Sequence, residues 1–250
     1  MKKSVVKLKK EDYITQINTC LQDSHVNPDI YQNFYVSFYG IGEPSVVCDE
    51  IGNVMPVINE RYPHVRFNIA TFGFNSECFD VWKKNYPYIK TLQIPFYSSK
   101  LNVLRQIVRN LPEGYDFLHI LRKAVEYQKM SDFCRIKINY IVIQNINDSN
   151  EDVDDLLRML TPYLNNVCIR ISYLNYTKIG ESNGYCSASA KRIKKIYHRI
   201  SSRGFECYIF GSELNIEVGC GQLLQDYISS NVDGNDARGE EPLGDLISRH

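Results

Sequence analysis

Residues 135–173 read RIKINYIVIQNINDSNEDVDDLLRMLTPYLNNVCIRISY, and they contain one complete strand–helix–strand unit. Its predicted strands are Arg135–Ile143 and Val167–Tyr173, and several strands predicted in this chain are nearly continuous in apolar and aromatic residues. Such runs are typical of strands that are covered on both faces. The segment Glu151–Leu164 between them has apolar residues at helical spacing. This order predicts two parallel strands joined by a right-handed crossover helix.

The same alternation extends in both directions along the chain. Four more strands are predicted, rich in Val, Ile, Phe and Tyr and bounded by turn residues: Asn33–Tyr39, Val65–Thr71, Thr91–Phe96 and Glu206–Phe210. Helical patterns fill the intervals: Lys10–Gln22, Val46–Arg61, Glu77–Asn85, Leu101–Asn110, Tyr115–Gln128, Ala188–Arg203 and Gln222–Ser229. Alternation of this length predicts a parallel sheet, either doubly wound or in a complete or partial TIM-type barrel. In both cases ligands bind at the carboxyl ends of the strands.

Composition excludes several classes of protein. The 250 residues are 44% hydrophobic and 23% charged, which is ordinary globular usage. Lys and Arg number 29, as do Asp and Glu, so no overall field steers the chain onto nucleic acid. No apolar run is long enough to span a bilayer, and the amino terminus lacks the apolar region of a signal peptide. The expected location is therefore the cytoplasm, with no membrane partner.

Eight cysteines are scattered through the chain, at positions 20, 48, 78, 134, 168, 186, 207 and 220. They form no CxxC or CxxxCxxC motif, so neither a zinc site nor a local iron–sulfur loop is expected, and no metal ligand is assigned. Seven are interpreted as small buried hydrophobes. Cys220 lies between two glycines just before a predicted helix, where the thiolate is favoured, so a functional and a packing role both stay open for it.

The turn after the first predicted strand reads Gly40-Ile41-Gly42-Glu43-Pro44. Its glycines let the backbone approach a ligand closely, and Glu43 puts a carboxylate where a ligand ammonium could meet it. The alternative interpretation is an ordinary strand–helix turn. This turn is not a dinucleotide fingerprint, because a third glycine is absent and a proline interrupts it.

Taken in order, the segments at the strand ends resemble the RlmN/Cfr-type radical-SAM enzymes, which methylate an adenine of ribosomal RNA. The resemblance covers roughly residues 8 to 227, in the right order and at compatible spacing. The matching segments are Phe38–Pro44 (near MGMGEP), Arg66–Gly73 (near RVTxSTSG), Leu92–Tyr97 (near LAISLH), Ile146–Asp152 (near VNDSxEH), Val167–Asn175 (near INLIPWN) and Gly219–Leu223 (near ACGQL).

The resemblance implies a fold, cofactors and site residues. The family has a six-stranded partial barrel, and a 4Fe-4S cluster on a CxxxCxxC loop cleaves S-adenosylmethionine to a radical. By position, Gly42 and Glu43 would contact the methionine amino group, and Asn175 the adenosine part. Cys220 would carry the methyl group as the catalytic cysteine. The predicted cofactor-binding set is Gly42, Glu43, Thr71, Tyr97 and Asn175.

This chain departs from the family pattern at several positions. Ala70 and Phe72 replace the two serines of STSG, so hydroxyl contacts to the ribose are lost. Pro95, Phe96 and Tyr97 replace the SLH triplet, and the first two donate no side-chain hydrogen bond. A cofactor pocket kept at these positions is therefore remodelled.

The family's first strand and cluster cysteines would lie before the predicted helix Lys10–Gln22. We therefore expect an α/β fold: a partial parallel (β/α)6-type TIM-like barrel that lacks its first strand. Residues 1–227 are expected to form this barrel domain and residues 228–250 a flexible tail. The strand Asn33–Tyr39 would then need cover from Ser4–Leu8 or from a separate polypeptide.

Two functions stay open at this point. The chain is the larger part of an RNA methyltransferase of the radical-SAM type, with S-adenosylmethionine and RNA as ligands. A missing segment or a protein partner would then supply the strand and the cluster, which is not expected on this chain alone. The alternative is a degenerate, non-catalytic paralogue that binds a nucleoside, RNA or a protein.

Overall fold

The computed structural model describes residues 7–25, 27–31, 34–39, 42–85, 87–108, 110–130, 134–175 and 183–211. Within them lies one six-stranded sheet whose neighbours are all parallel and follow sequence order. The strands are β1 (Phe34–Phe38), β2 (Val65–Ala70), β3 (Ile89–Phe96), β4 (Arg135–Val142), β5 (Val167–Tyr173) and β6 (Cys207–Phe210). Since β1 and β6 do not pair with each other, the sheet is an open, partial barrel, as the sequence predicts.

Seven α-helices occur in the described part of the chain. They are α1 (Lys10–Asp23), α2 (Cys48–Arg61), α3 (Cys78–Trp82), α4 (Leu101–Ile107), α5 (Phe117–Gln128), α6 (Asn150–Leu160) and α7 (Ala190–Ser201). Short 3-10 turns are at Pro28–Ile30, Pro44–Val47, Lys83–Asn85 and Thr161–Tyr163. The predicted elements are confirmed to within a few residues, apart from the helix predicted at Gln222–Ser229, which lies outside the described residues.

The core lies between the sheet and its helices. Alternate strand residues, such as Phe67, Ile138 and Ile169, are fully buried and pack with the apolar faces of the helices. Trp82 is also fully buried, and its indole N–H donates to the carbonyl of Cys48 at 3.0 Å. Burial of such side chains contributes roughly 1.5–3 kcal/mol each. The same alternation places the other strand residues on the opposite face, which we call the inner face.

The helix ends differ from the predictions for physical reasons. The helix predicted at Leu101–Asn110 ends at Ile107, because Val108 adopts an extended backbone, with φ of −104° and ψ of 93°. The helix predicted at Glu151–Leu164 gives way after Leu160 to a 3-10 turn that contains Pro162. A proline has no N–H to donate to the helix, so a tighter turn is the natural continuation.

The sheet edge at β1 bears on the predicted missing strand. Among the described residues β1 pairs only with β2, and the Tyr35 side chain on it is 41% exposed. A further strand beside β1 stays a prediction, because residues 1–6 lie outside the described part. The predicted tail at 228–250, and with it the domain division, lies outside the described residues too. No helix in the described part is long and apolar enough to cross a membrane.

We predict that Ser149→Ala destabilises the protein by about 1 kcal/mol in urea unfolding. Ser149 caps α6: its hydroxyl accepts from the Asp152 N–H at 3.1 Å, and the Asp152 carboxylate accepts from the Ser149 N–H at 3.2 Å. Burial raises the pKa of Asp152, but hydrogen bonds from Ser149 and Lys100 outweigh it, so the pKa lies below its usual value.

The pH dependence of this effect has a definite sign. A lowered folded-state pKa stabilises the protein above the unfolded-state pKa, and that contribution is lost as the pH falls through the folded-state value. Part of the difference in the free energy of unfolding between Ser149→Ala and the wild type should therefore be lost in acid. Ser202→Ala is the control, because this exposed hydroxyl donates only to the Arg199 carbonyl. An equal loss in both variants would contradict the capping role.

Candidate functional site

The turn after β1 holds two of the predicted cofactor residues. Gly42 has a φ of 103°, and a Cβ built on it would meet no atom of the described residues within 4 Å. Only glycine adopts this backbone conformation without strain, and the lack of a side chain lets a ligand approach the backbone closely. Glu43 caps the 3-10 turn that follows: its carboxylate accepts from the Ser45 N–H at 3.1 Å and from the Ser45 hydroxyl at 2.7 Å.

Glu43 also reaches across to the end of β2. The Thr71 hydroxyl donates to its carboxylate, and the Phe72 N–H donates to the same group at 3.0 Å. Thr71 is 1% exposed, and its oxygen accepts in turn from the Gly73 N–H at 2.9 Å. These contacts lock the carboxyl ends of β1 and β2 together. The four donors that the described residues offer to this carboxylate are uncharged, so none of these four balances its charge.

Four aromatic side chains lie in a row beside this carboxylate. Phe72 stacks on Tyr97 with 6.1 Å between ring centroids and 11° between planes. Phe72 also contacts Phe74 at 5.2 Å, and Phe74 meets the edge of Tyr115 at 6.2 Å. We call these four residues the aromatic row. Phe72 stands where the family pattern has a serine and Tyr97 where it has a histidine, so two members of the row account for the remodelled pocket.

Asn147 is a site residue that the sequence analysis did not single out. Its side chain is fully buried and donates to the carbonyls of Tyr97 at 2.6 Å and of Ile141 at 2.8 Å. Its amide oxygen accepts from the Ile143 N–H at 2.7 Å. The loop after β4 is thereby fastened to the loop that carries Tyr97. The sequence contained one signal for Asn147, which is its position in the Ile146–Asp152 segment that matches the family pattern.

The remaining predicted residues are less closely joined to this edge. Asn175 is exposed and lies two residues after the last residue of β5, at the carboxyl edge of the sheet. Cys220 and its motif lie outside the described residues. The structure therefore brings Gly42, Glu43 and Thr71 together and adds Tyr97 through the aromatic row.

A cavity of about 290 Å³ opens at the far end of the aromatic row. It is lined by Phe74 and Tyr115 together with polar groups of α5 and its preceding loop. The His119 Nε2 lies 3.3 Å from the Ser76 hydroxyl in its wall. Burial, with a smaller contribution from the charge of Glu43, raises the pKa of Tyr115 well above its usual value, so this phenol stays protonated.

The cysteines in the described part do not fit an iron–sulfur cluster. Cys48, Cys78, Cys134 and Cys168 are buried, whereas Cys20 and Cys186 are exposed. Burial raises the pKa of Cys78 well above its usual value and that of Cys134 to about 12, so these thiols resist forming the thiolates that a cluster needs. No group of three or more His, Cys, Asp or Glu side chains among the described residues could hold a metal.

Comparison with solved structures shows the same fold. A radical SAM methyltransferase from Sphaerobacter thermophilus superposes with a TM-score of 0.68 at 18% identity, over 86% of this chain and 61% of that one. A domain of pyruvate-formate lyase-activating enzyme from Bacteroides vulgatus superposes with a TM-score of 0.56 at 17% identity, over 72% of this chain and all of that one. The chain thus shares the fold of these two solved structures over most of its length.

Curated proteins of similar sequence are named as RNA methyltransferases. The dual-specificity RNA methyltransferase RlmN of Buchnera aphidicola is 25% identical over 228 residues, which is 86% of this chain and 59% of the relative. A probable RlmN of Lactococcus lactis is 24% identical, over 79% of this chain and 54% of the relative. No family model matches the chain. The sequence resemblance to the RlmN proteins is confirmed, and the chain spans little more than half of the length of these two relatives.

We predict that Gly73→Ala destabilises the protein far more than Gly114→Ala. Both glycines have a positive φ, 70° and 77°, so both variants incur a similar backbone strain of about 1 kcal/mol. A Cβ at Gly73 would lie 2.6 Å from Ile120 Cγ2, whereas one at Gly114 would meet none of the residues that the structure describes within 4 Å. Thermal unfolding of the two variants measures the difference. Equal melting temperatures would show that the loop after β2 is not packed on α5 as described.

Proposed function

We propose that this chain is the S-adenosylmethionine-binding barrel portion of an RNA methyltransferase of the radical-SAM type. The observation that carries the proposal is the Glu43 carboxylate, held at the joined ends of β1 and β2 beside the stacked rings of Phe72 and Tyr97. S-adenosylmethionine carries an ammonium group at one end and an adenine at the other. An anion next to a flat aromatic surface matches both ends of that ligand.

The ammonium would bind at Glu43. This carboxylate is partly buried, so it loses hydration that neutral donors replace only in part. A cation that binds it forms a charge-assisted hydrogen bond, which is about twice as strong as a neutral one. Gly42 leaves space beside Glu43, because no atom in the described part of the chain lies within 4 Å of the place where a Cβ would be.

The adenine would stack at Phe72 and Tyr97. Stacking of a base on an aromatic side chain contributes about 1–3 kcal/mol. The Asn147 amide fixes the backbone of Tyr97 through its 2.6 Å hydrogen bond, so this ring is held in place before any ligand arrives. Asn175, at the end of β5, is the proposed polar contact to the adenosine part. Cys220 is proposed as the methyl-carrying cysteine.

The proposal divides the activity between this chain and other components. When bound, S-adenosylmethionine supplies a methyl group activated by a sulfonium centre. The described residues do not form a cluster site, so binding and orienting the cofactor are the steps assigned to them. RNA is proposed as the substrate, on the strength of the relatives that are named RNA methyltransferases. The cluster cysteines would come from another segment or a partner protein, and a cytoplasmic location is part of the same proposal.

A second candidate function is nucleoside binding without turnover. The replacement of the family's serines and histidine favours this second function. Phe72 and Tyr97 stack on each other, and of the two side chains only Tyr97 has a hydroxyl group that could bind a ribose. The two candidates differ in what happens to S-adenosylmethionine after it binds.

We expect Glu43→Gln to weaken S-adenosylmethionine binding by about tenfold or more while leaving adenosine binding nearly unchanged. The substitution removes the charge that meets the ammonium, and adenosine has no ammonium to lose. Phe72→Leu should weaken both ligands by a similar factor, because the stacking face is lost. Isothermal titration calorimetry on the full chain measures all four affinities.

The control for the aromatic variant is Tyr31→Leu, because Tyr31 is also an exposed aromatic residue but precedes β1. It should leave both affinities unchanged, and the melting temperature of each variant checks its folding. Equal affinity of Glu43→Gln and the wild type for S-adenosylmethionine would refute the assigned ammonium contact.

Turnover separates the two candidate functions. For this test the protein is expressed from the gene extended upstream of Met1 and is reconstituted with iron and sulfide. If the first candidate is right, this protein should release 5′-deoxyadenosine from S-adenosylmethionine under reducing conditions. An iron-free product that still binds adenosine would instead support the non-catalytic module.

A further inference from the structure

Helix α7 has a row of lysines along its exposed face. Its buried face consists of three isoleucines that pack into the core: Ile193, Ile196 and Ile200. On the opposite side, Lys191, Lys194 and Lys195 are all exposed. Residues three and four positions apart are neighbours on a helix surface, so these lysines form one line. We call Lys191, Lys194 and Lys195 the basic stripe.

The basic stripe is built without acidic residues. The α7 segment Ala190–Ser201 contains no Asp or Glu, so the helix offers no carboxylate at the spacing that forms an ion pair along its surface. Lys191 and Lys195 are instead four positions apart, and like charges at this spacing destabilise a helix. Helix α6 shows the usual arrangement, because its Arg158 and Asp155 form an ion pair at 2.9 Å. The exposed face of α7 therefore carries an electrostatic cost that a bound anion would remove.

The amino end of α7 adds to this cost. Lys191 and Arg192 lie in the first turn, where the helix dipole is positive and acidic residues are favoured. The corresponding turn of α6 holds Glu151 and Asp152. Ser189 caps α7 by accepting from the Arg192 N–H at 3.3 Å, and this hydroxyl is uncharged. At this end the lysine charge and the helix dipole therefore have the same sign, and both attract an anion.

The ion pair that α7 makes within the described residues lies beside the basic stripe and not on it. The Arg199 Nε donates to the Asp154 carboxylate of α6 at 2.8 Å. The Arg192 guanidinium donates to the Asn150 amide oxygen at 3.0 Å and to the Asp148 carbonyl, which are both uncharged. The three lysines of the stripe form no ion pair with any residue that the structure describes. Their charge is therefore open to an anion from outside this part of the chain.

The surroundings of the basic stripe favour a polyanion over a protein or a lipid surface. A protein interface has an apolar centre with aromatic anchors, but no large hydrophobic residue of α7 is exposed. A helix that lies on a membrane inserts its apolar face into the lipid, whereas the isoleucines of α7 are buried in the core. A line of charges without an apolar anchor matches a nucleic acid backbone, whose binding is driven by the release of counterions.

The amino end of α7 lies at the carboxyl edge of the sheet. Arg192 donates to Asn150, the first residue of α6, in the segment that follows β4. Just before α7, the Ser187 hydroxyl accepts from the Leu174 N–H at 3.2 Å, and Leu174 directly follows β5. The basic stripe therefore begins at the edge that holds the proposed cofactor site and runs along the outside of the sheet, away from that edge.

We propose that the basic stripe of α7 binds the phosphate backbone of an RNA strand. This inference deepens the proposed function and rests on it for the choice of RNA, because the stripe alone attracts any nucleic acid. Contacts between lysine and phosphate position a nucleic acid without reading its sequence. The stripe would hold the strand so that it reaches the carboxyl edge, where the proposed function places its chemistry.

The test measures the affinity of the full chain for a short single-stranded RNA by fluorescence anisotropy. The double variant Lys191→Gln/Lys195→Gln should weaken binding about tenfold at about 0.1 M salt, because two phosphate contacts are lost. The slope of log K against log salt should fall by about 0.7 for each of these contacts. Lys191→Arg/Lys195→Arg should bind the RNA as the wild type does, since it keeps both charges.

The matched control is the double variant Lys84→Gln/Lys129→Gln. Lys84 and Lys129 are exposed and follow α3 and α5, so this variant changes the net charge equally at a distance from α7. It should leave the affinity for RNA and the salt slope nearly unchanged. Melting temperatures check folding, and the variant of the stripe should melt no lower than the wild type, because repulsion within α7 is relieved.

Equal losses of RNA affinity in the two glutamine double variants would overturn the proposal. Displacement of the RNA by polyglutamate at the same concentration of negative charge would also overturn it, because the stripe would then suit an acidic protein. Titration of the same variants with S-adenosylmethionine keeps the two proposals apart, since the stripe variants should bind this ligand like the wild type. Failure of Glu43→Gln to weaken S-adenosylmethionine binding would refute the cofactor site and leave the result for RNA unchanged.

Discussion

The hydrogen bond from the Thr71 hydroxyl to the Glu43 carboxylate is the contact on which the carboxyl edge of this barrel depends. Neighbouring parallel strands are connected through helices, so beyond their carboxyl ends they are held together by hydrogen bonds between the loops that follow them. Here one carboxylate accepts from its own turn and from the next strand, and Thr71 passes the connection on to Gly73. The loop that carries Phe72 is therefore fixed in place by the same group proposed to bind the ligand.

The sheet separates charge along its strands. The carboxyl edge presents an acidic group beside aromatic rings, whereas the inner face below it presents Lys137 and Arg170 over amides and hydroxyls. Since the chain as a whole has no net charge, this separation arises from the placement of residues and not from composition.

The strands could be predicted from the sequence because their patterns are strong. The predicted strand Val167–Tyr173 has the same first and last residues as β5, because a short apolar run between polar turns fits few structures other than a buried strand. The ends of helices were less predictable, because Val108 leaves the helix through its backbone conformation and not through a residue that breaks helices. Within the site, Gly42 and Glu43 could be singled out by residue type. Asn147 could not, because an amide in a loop becomes informative only when its partners, the carbonyls of Tyr97 and Ile141, are known.

The inner face was beyond sequence reasoning for a related physical cause. Lys137 and Arg170 lie 33 positions apart in the chain, and only the strand register brings both beside Gln93. On β4, Arg135, Lys137 and Asn139 occupy three successive inner-facing positions, which departs from the all-apolar pattern expected of strands that are covered on both faces.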